Sequence, residues 1–254
     1  MVSSFVLYGM IADRNSAGRG RLWAFTLVEL LVIIALLGVL FSMIAPAMAK
    51  ALGKAREVYC LNNLRNLSVA QTLFSHDHDD HLTPHAINRV PSQNAIIPNS
   101  KMTLWPDLLE SYAGDRRVFR CPCMKCDLEQ GMGFGMNLGV AGKFIVASES
   151  QTPHASQVTS PALAIYFADA AFITPETMGR PMSEWQEDAS RPLGSWTIRT
   201  PADRFWNWLP TRVIPRHGAR SNVGFVDGHV ESRAIRQLGF GYPEGHPQNL
   251  WDRH

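Results

Sequence analysis

The chain has 254 residues, which is enough for one or two domains with a hydrophobic core. Its net charge is only +2, from 24 Lys and Arg against 22 Asp and Glu, which excludes the strongly basic class and predicts no nucleic-acid partner. Charged residues make up 18% of the chain, below the roughly 25% of soluble domains, and an apolar run near the N-terminus accounts for part of this deficit.

The apolar run occupies residues 24–49 and reads AFTLVELLVIIALLGVLFSMIAPAMA. No charged residue occurs in the 19 positions from Leu30 to Met48. As a helix, this stretch is about 28 Å long, close to the hydrocarbon thickness of a bilayer. Ala47-Met48-Ala49 could serve as an ordinary signal-peptidase site, but the run exceeds the 7–15 residues typical of a signal core. The run therefore predicts a single membrane-spanning helix with one carboxylate, Glu29, at its front edge.

The string AFTLVELLVIIALLG resembles the processing segment of type IV prepilins and type II secretion pseudopilins. This resemblance implies that the prepilin peptidase cuts between Ala24 and Phe25 and that its N-methyltransferase activity methylates Phe25. Glu29 stands where the family places its glutamate, and Gly38 and Pro46 match a helix glycine and a helix proline. Ala24 departs from the glycine usual before the cut, which implies slower cleavage.

A glutamate at a membrane boundary is costly and is expected to have a cationic partner. In a filament of staggered helices, the Glu29 carboxylate can meet the Phe25 ammonium of a neighbouring subunit. Their attraction amounts to several kcal/mol and is partly offset by the cost of desolvation. The alternative is an interfacial glutamate without a partner. The resemblance thus implies other pilin-like subunits as partners, insertion in the inner membrane and a periplasmic head. Charge does not set this orientation, because three basic residues lie on each side of the run: Arg14, Arg19 and Arg21 before it, and Lys50, Lys54 and Arg56 after it.

The helix is predicted to continue well past the apolar run. Cys60, Leu64, Leu67 and Phe74 recur on one helical face and predict an amphipathic second half. Pro46 should bend the helix, and Pro84 should end it. The expected organisation is a leader, 1–24, a transmembrane half, 25–49, an amphipathic half, 50–80, and a globular head, 81–254.

The end of this helix carries the cluster HDHDDH, residues 76–81. Asp77, Asp79 and Asp80 offer oxygen ligands for a structural cation such as calcium. No glycine stands where a calcium loop would turn, so we favour a solvated helix end and expect no cofactor.

The four cysteines are Cys60 and the three of RCPCMKC, Cys121, Cys123 and Cys126. Their spacing is compatible with zinc. A head outside the cytoplasm favours disulfides, of which three pairings are possible. Resemblance to the same family, which often has cysteine at both positions, favours Cys60 with Cys121.

The middle of the head contains two predicted strands, KFIVA (143–147) and PALAIYFADA (161–170). A proline-rich insertion follows at about 175–210, predicted to be a long loop with short helical turns. Its tryptophans are expected to pack on the sheet, with a ligand groove as the alternative; they are Trp185, Trp196, Trp206 and Trp208.

The C-terminal segment is predicted to form a β-hairpin at about 220–236, with Asp227-Gly228 as a two-residue type I′ turn. His217 precedes Asp227-Gly228 by nine residues. Together with CLNNLRNLSVAQTLFSHDHDDHLTP, this His-x9-Asp-Gly motif resembles a large pseudopilin-like group. Asp169, His217, Asp227 and His229 could converge near the hairpin, but no accompanying nucleophile or metal site is evident. We favour structural roles and expect no catalytic residue.

These features predict an α+β, pilin-like fold with a long spine helix on a small antiparallel sheet. The expected function is structural, as a minor pseudopilin of a type II secretion or type IV pilus-like filament. One alternative is a monomeric anchored binding module that uses the tryptophan-rich insertion, and it should tolerate changes at Glu29. Another is a metal-dependent periplasmic enzyme, which should stay active without its anchor.

Overall fold

The computed structural model describes residues 26–89, 91, 95–96, 100–124, 131–142, 145–191 and 193–253. The predicted leader, the cleavage site between Ala24 and Phe25, and Cys126 therefore lie outside the described residues. The described residues fall into two compact units, divided between Met48 and Ala49.

The dominant element is helix α1 (Leu27–Asp77), with 51 residues. Within the described ranges, α1 is the one helix long and apolar enough to cross a membrane. Its apolar side chains up to Met48 are exposed, and Pro46 lies inside it. A reciprocal pair of bonds caps its start. The Thr26 backbone N–H donates to Glu29 Oε2 at 2.9 Å, and the Glu29 N–H donates to Thr26 Oγ1 at 3.2 Å.

The second half of α1 buries the predicted face. Cys60, Leu64 and Leu67 are fully buried and Phe74 is 2% exposed, which confirms the amphipathic helix. The helix ends at Asp77 rather than at Pro84, because Asp79 and Asp80 adopt left-handed backbone angles, with φ of 51° and 59°. The Asp80 N–H then donates to Ser75 O at 2.8 Å, which closes the last turn.

Short elements connect α1 to the main sheet. Strands β1 (Ala86–Ile87) and β2 (Thr103–Leu104) pair antiparallel, and helix α2 (Trp105–Ala113) follows directly. A one-turn helix, α3 (Leu138–Ala141), lies further along. The 3₁₀ helices are Arg116–Phe119, Glu149–Gln151, Ala155–Gln157, Pro175–Thr177, Met182–Glu184 and Ile235–Gln237.

Within the described residues, the main sheet has six strands: β3 (Phe134–Asn137), β4 (Ile165–Phe172), β5 (Thr197–Ile198), β6 (Thr211–Val213), β7 (Arg220–Phe225) and β8 (Val230–Ala234). Their order is β5-β3-β4-β7-β8, with β6 also paired to β4. The head is thus α+β, but the antiparallel prediction was wrong for one pair, since β3 and β5 run parallel. The parallel pair is possible because β5 lies inside the long insertion and is not joined to β3 by a tight turn.

Strand β4 confirms the predicted buried strand, and its residues contribute to both hydrophobic clusters of the head. Strand β7 approaches α1 closely. A Cβ on Gly224 would lie 2.8 Å from Ser68 Oγ, so only glycine fits there without a shift. KFIVA is not a strand in its described part, where Val146 makes an isolated bridge to Ile87.

The predicted C-terminal hairpin is confirmed as β7 and β8, but its turn differs from the prediction. The Gly228 N–H donates to Phe225 O at 3.0 Å, and the Phe225 N–H donates to His229 O at 3.0 Å. This is a three-residue loop in which Gly228 has a positive φ of 90° and Asp227 does not. A type I′ turn needs a positive φ at both central residues, so Asp227-Gly228 is not one.

The insertion contains the predicted 3₁₀ turns and also strand β5, which was not predicted. Three of its four tryptophans pack against the hydrophobic clusters of the head, as expected: Trp185, Trp196 and Trp206. Trp185 is 7% exposed and packs with Trp206 and Phe240. Trp208 is 82% exposed and does not pack on the sheet. It lies in a run of turns between β5 and β6.

Candidate functional site: a buried thiol and ion-pair cluster

The strongest concentration of reactive side chains lies inside the head, between α1, the segment after Phe119 and the entry to β7. Cys60 comes from the buried face of α1, and Cys121 follows a 3₁₀ turn. Asp169 lies in β4. His217 begins a tight turn before β7, in which its N–H donates to Arg220 O at 3.0 Å.

The cysteine sulfurs approach closely. Cys60 Sγ and Cys121 Sγ lie 2.7 Å apart, and both residues are buried free thiols. The sulfur of Cys123, a half-buried residue, completes a group whose ligand atoms all lie within 4.8 Å of one another. The structure thus brings together three of the four predicted cysteines.

His217 joins the thiols to a carboxylate. Its Nε2 lies 3.7 Å from Cys121 Sγ and 3.3 Å from Asp169 Oδ2. The same oxygen of Asp169 accepts the Asn222 N–H at 2.6 Å. One imidazole nitrogen therefore faces both the sulfur and the carboxylate. A nucleophile–base–orienter arrangement would use the two nitrogens separately.

A second ion pair extends the cluster. Arg216 Nη2 lies 2.8 Å from Glu187 Oε1, and Arg216 Nη1 lies 3.8 Å from Asp169 Oδ1. All three side chains are at most 3% exposed. Arg216 also donates to the carbonyl oxygens of Ala170 and Gly133. Removing one partner of such a buried, hydrogen-bonded pair strongly destabilises the folded state, because the other charge stays buried without compensation.

The electrostatics of the reduced cluster follow from these contacts. The hydrogen bond from Cys60, together with that from His217, lowers the pKa of Cys121 to about 6. The same bond to Cys121, together with burial, raises the pKa of Cys60. Burial and the neighbouring Cys121 raise the pKa of Cys123 to about 11. Cys121 is therefore the thiol best able to ionise at neutral pH.

His217 experiences opposing effects. Burial by itself lowers its pKa, but the hydrogen bonds to Asp169 and Cys121 outweigh burial and raise the pKa to about 10. The imidazole is therefore cationic at neutral pH and cannot act there as a base.

The cluster can form a disulfide, and two sets of its side chains could hold a metal. These sets are Cys60, Cys121 and Cys123, and Cys121, Asp169 and His217. Two thiolates on a tetrahedral zinc with bonds of about 2.3 Å would be about 3.8 Å apart. The 2.7 Å between Cys60 and Cys121 is too short for this, so the geometry favours a disulfide over zinc.

The remaining predicted site residues lie elsewhere. Asp227 pairs with His229 at the other end of β7, so the four predicted residues form two separate pairs. Asp77, Asp79 and Asp80 belong to neither of the potential metal-ligand groups found among the described residues. Glu29 lies in the first turn of α1.

Two members of the cluster, Arg216 and Glu187, were missed by the sequence analysis. Arg216 is adjacent to His217 in the sequence, which was a usable signal, whereas Glu187 stands in the insertion with no pattern around it. The capping box at the start of α1 was also missed, although Thr26-x-x-Glu29 is its usual spacing.

A pocket of 690 Å³ lies apart from the cluster. Its wall is mostly apolar and includes the Arg199–Asp203 ion pair, with 2.7 Å between Nη1 and Oδ2. Its volume falls in the range of small-molecule sites.

No family model, no curated protein and no solved structure matches this chain.

Proposed function

We propose that the protein is a pilin-like structural subunit, a minor pseudopilin that is anchored by α1 and assembled with other pilin-like subunits. In this proposal the prepilin peptidase cuts before Phe25, and the head lies on the periplasmic side of the inner membrane. The observation that carries it is α1 itself. One continuous helix has an exposed, apolar first half and a second half that buries one face in an α+β head.

Glu29 is the residue on which the assembly hypothesis depends, and the structure gives it a second role. Its carboxylate accepts hydrogen bonds from the backbone N–H and the hydroxyl of Thr26, at 2.9 and 2.8 Å. Loss of assembly in a Glu29→Ala variant would therefore not distinguish a lost ion pair from a lost helix cap. Glutamine can fill the same position of a capping box without a charge.

The test compares Glu29→Gln with Thr26→Ala in the full chain. We expect Glu29→Gln to insert normally and to reduce crosslinking to neighbouring pilin-like subunits in the cell envelope about tenfold, since tenfold corresponds to only about 1.4 kcal/mol. Thr26→Ala removes the hydroxyl, and with it the side-chain half of the cap, but keeps the charge of Glu29, so it should assemble nearly as the parent does.

Mass spectrometry of the N-terminal peptide is the control, and it should find N-methylated Phe25 in both variants. Parental assembly of Glu29→Gln would contradict the ion pair, and equal loss in Thr26→Ala would assign the effect to the cap. A mature terminus at Lys50, Ala51 or Leu52 would show ordinary signal cleavage and contradict the proposed class.

An anchored binding module is the second candidate, favoured by the pocket of 690 Å³. The insertion supplies much of its wall, through Ile198, Arg199, Asp203, Phe205 and Leu209. Such a module should retain its activity in Glu29→Gln, which separates the two candidates in the same experiment.

A further inference from the structure

The three described cysteines differ in access. Cys60 is fully buried and Cys121 is 3% exposed, whereas Cys123 is only half-buried. All three sulfurs lie within 4.8 Å of one another. Among these three thiols, a reagent in solvent can therefore reach Cys123 most easily. Only small movements are then needed to pass a bond from one sulfur to the next.

We propose that Cys123 is the site at which an external disulfide reacts, and that it transfers this oxidation to the buried pair Cys60 and Cys121. The inference is independent of the proposed pilin-like function, because it rests on the thiols of the head alone. It assigns Cys123 a transient mixed disulfide and assigns Cys60 and Cys121 the final bond.

The first step is thiol–disulfide exchange at Cys123. Its sulfur gives up a proton to solvent and attacks one sulfur of the external disulfide. The S–S bond of the reagent breaks, and one thiolate leaves and takes up a proton. The reagent is the oxidant, and Cys123 carries half of it as a mixed disulfide.

The second step uses the thiol of Cys121. Its sulfur lies within 4.8 Å of Cys123 Sγ, and its proton passes to solvent as it attacks. The Cys121 sulfur attacks Cys123 Sγ and displaces the second reagent thiolate, which takes up a proton from solvent. A bond then joins Cys121 and Cys123. His217 Nε2, 3.7 Å from Cys121 Sγ, holds this sulfur in place during the attack.

The third step moves the bond inward. Cys60 Sγ, 2.7 Å from Cys121 Sγ, attacks it and expels the Cys123 thiolate. The proton that Cys60 loses in this attack passes to the departing Cys123 thiolate. In sum, Cys60 and Cys121 are oxidised, one external disulfide is reduced to two thiols, and Cys123 is regenerated.

The experiment uses the reduced full chain in detergent micelles, with oxidised glutathione as the reagent. Cys126→Ser is the background, so that this cysteine, which lies outside the described residues, does not take part. The comparison is with Cys126→Ser/Cys123→Ser. Samples are quenched with N-ethylmaleimide over time, and mass spectrometry follows the peptide crosslinked between Cys60 and Cys121.

We expect the crosslink in both proteins, at least about tenfold more slowly without Cys123, because exchange then requires direct access to buried sulfurs. An equal end point shows that the second variant still folds. Equal rates would overturn the proposal. So would the absence of the crosslink in both proteins, including the case in which the thiols stay free and hold one equivalent of zinc.

A second measurement needs no substitution at Cys123. In the Cys126→Ser protein, quenching at early times should trap glutathione on Cys123. Glutathione found first on Cys60 or Cys121 would show that the buried thiols react directly and would contradict the proposal.

Discussion

The two ends of strand β7 resemble each other in sequence and differ in environment. His217-Gly218-Ala219-Arg220 leads into the strand, and Val226-Asp227-Gly228 leads out of it. At the first end His217 is buried against Asp169 and Cys121, beside the ion pair of Arg216. At the second end Asp227 and His229 pair in solvent. The two halves of the His-x9-Asp-Gly motif therefore lie in different environments. His217 belongs to the buried cluster, Asp227-Gly228 belongs to an exposed turn, and strand β7 sets the spacing between them.

The turns also differ in backbone. Gly218 and Ala219 both have a positive φ, 59° and 66°, so the type I′ turn that was expected at Asp227-Gly228 occurs at the first end. The first turn carries alanine in a conformation that costs a non-glycine residue about 1–2 kcal/mol. The burial of Arg216 and His217 holds it in place, since both side chains are at most 2% exposed.

The largest expected effect comes from a substitution at the buried end of β7. Arg216→Met removes the partner of Glu187 and Asp169 and should lower the free energy of unfolding by about 3–5 kcal/mol. Arg220→Met, across the same turn but exposed, should change it by no more than about 0.5 kcal/mol. Urea denaturation of the full chain in micelles measures both. Similar losses of unfolding free energy in the two variants would mean that burial does not make Arg216 more important for stability than Arg220.

A smaller effect concerns pH at the same end, in the oxidised protein, where Cys121 does not titrate. Asp169 keeps the pKa of His217 above its ordinary 6.5. The folded state therefore binds the proton more tightly than the unfolded state. The resulting stability is complete below pH 6.5 and is lost as the pH rises through the raised pKa of His217.

Denaturation at pH 6 and at pH 9 should show this loss in the parent and a much smaller one in His217→Gln. His229→Gln, at the exposed end, is the matched control and should behave as the parent does. An identical pH dependence in parent and His217→Gln would show that Asp169 does not stabilise the imidazolium.

The smallest expected effects come from single substitutions in the two turns that flank β7. Ala219→Gly should raise the free energy of unfolding by about 0.5–1 kcal/mol, since glycine adopts a positive φ without steric cost. Gly228→Ala should lower it by about 1–2 kcal/mol for the converse reason. Calorimetry should move the two melting temperatures in opposite directions. A loss in Ala219→Gly would mean that the alanine methyl group packs favourably in this turn.

The sequence predicted most of the elements on which this comparison depends. Period-two alternation placed β7 and β8, and the apolar run placed β4. It did not predict the turn type, because Asp227-Gly228 is compatible with both a two-residue and a three-residue loop, and strand register decides between them. β5 was missed because two residues carry no detectable alternation.

The sequence alone determined local features of the structure. The run from Leu30 to Met48 and the spacing of Cys60, Leu64, Leu67 and Phe74 define one long helix and its buried face, because helical periodicity depends only on neighbours along the chain. The tertiary structure decided the site. It brings Cys60 to Cys121 across 61 residues and Glu187 to Arg216 across 29. No local pattern encodes such contacts, since they depend on how strands and helices from distant segments pack against one another.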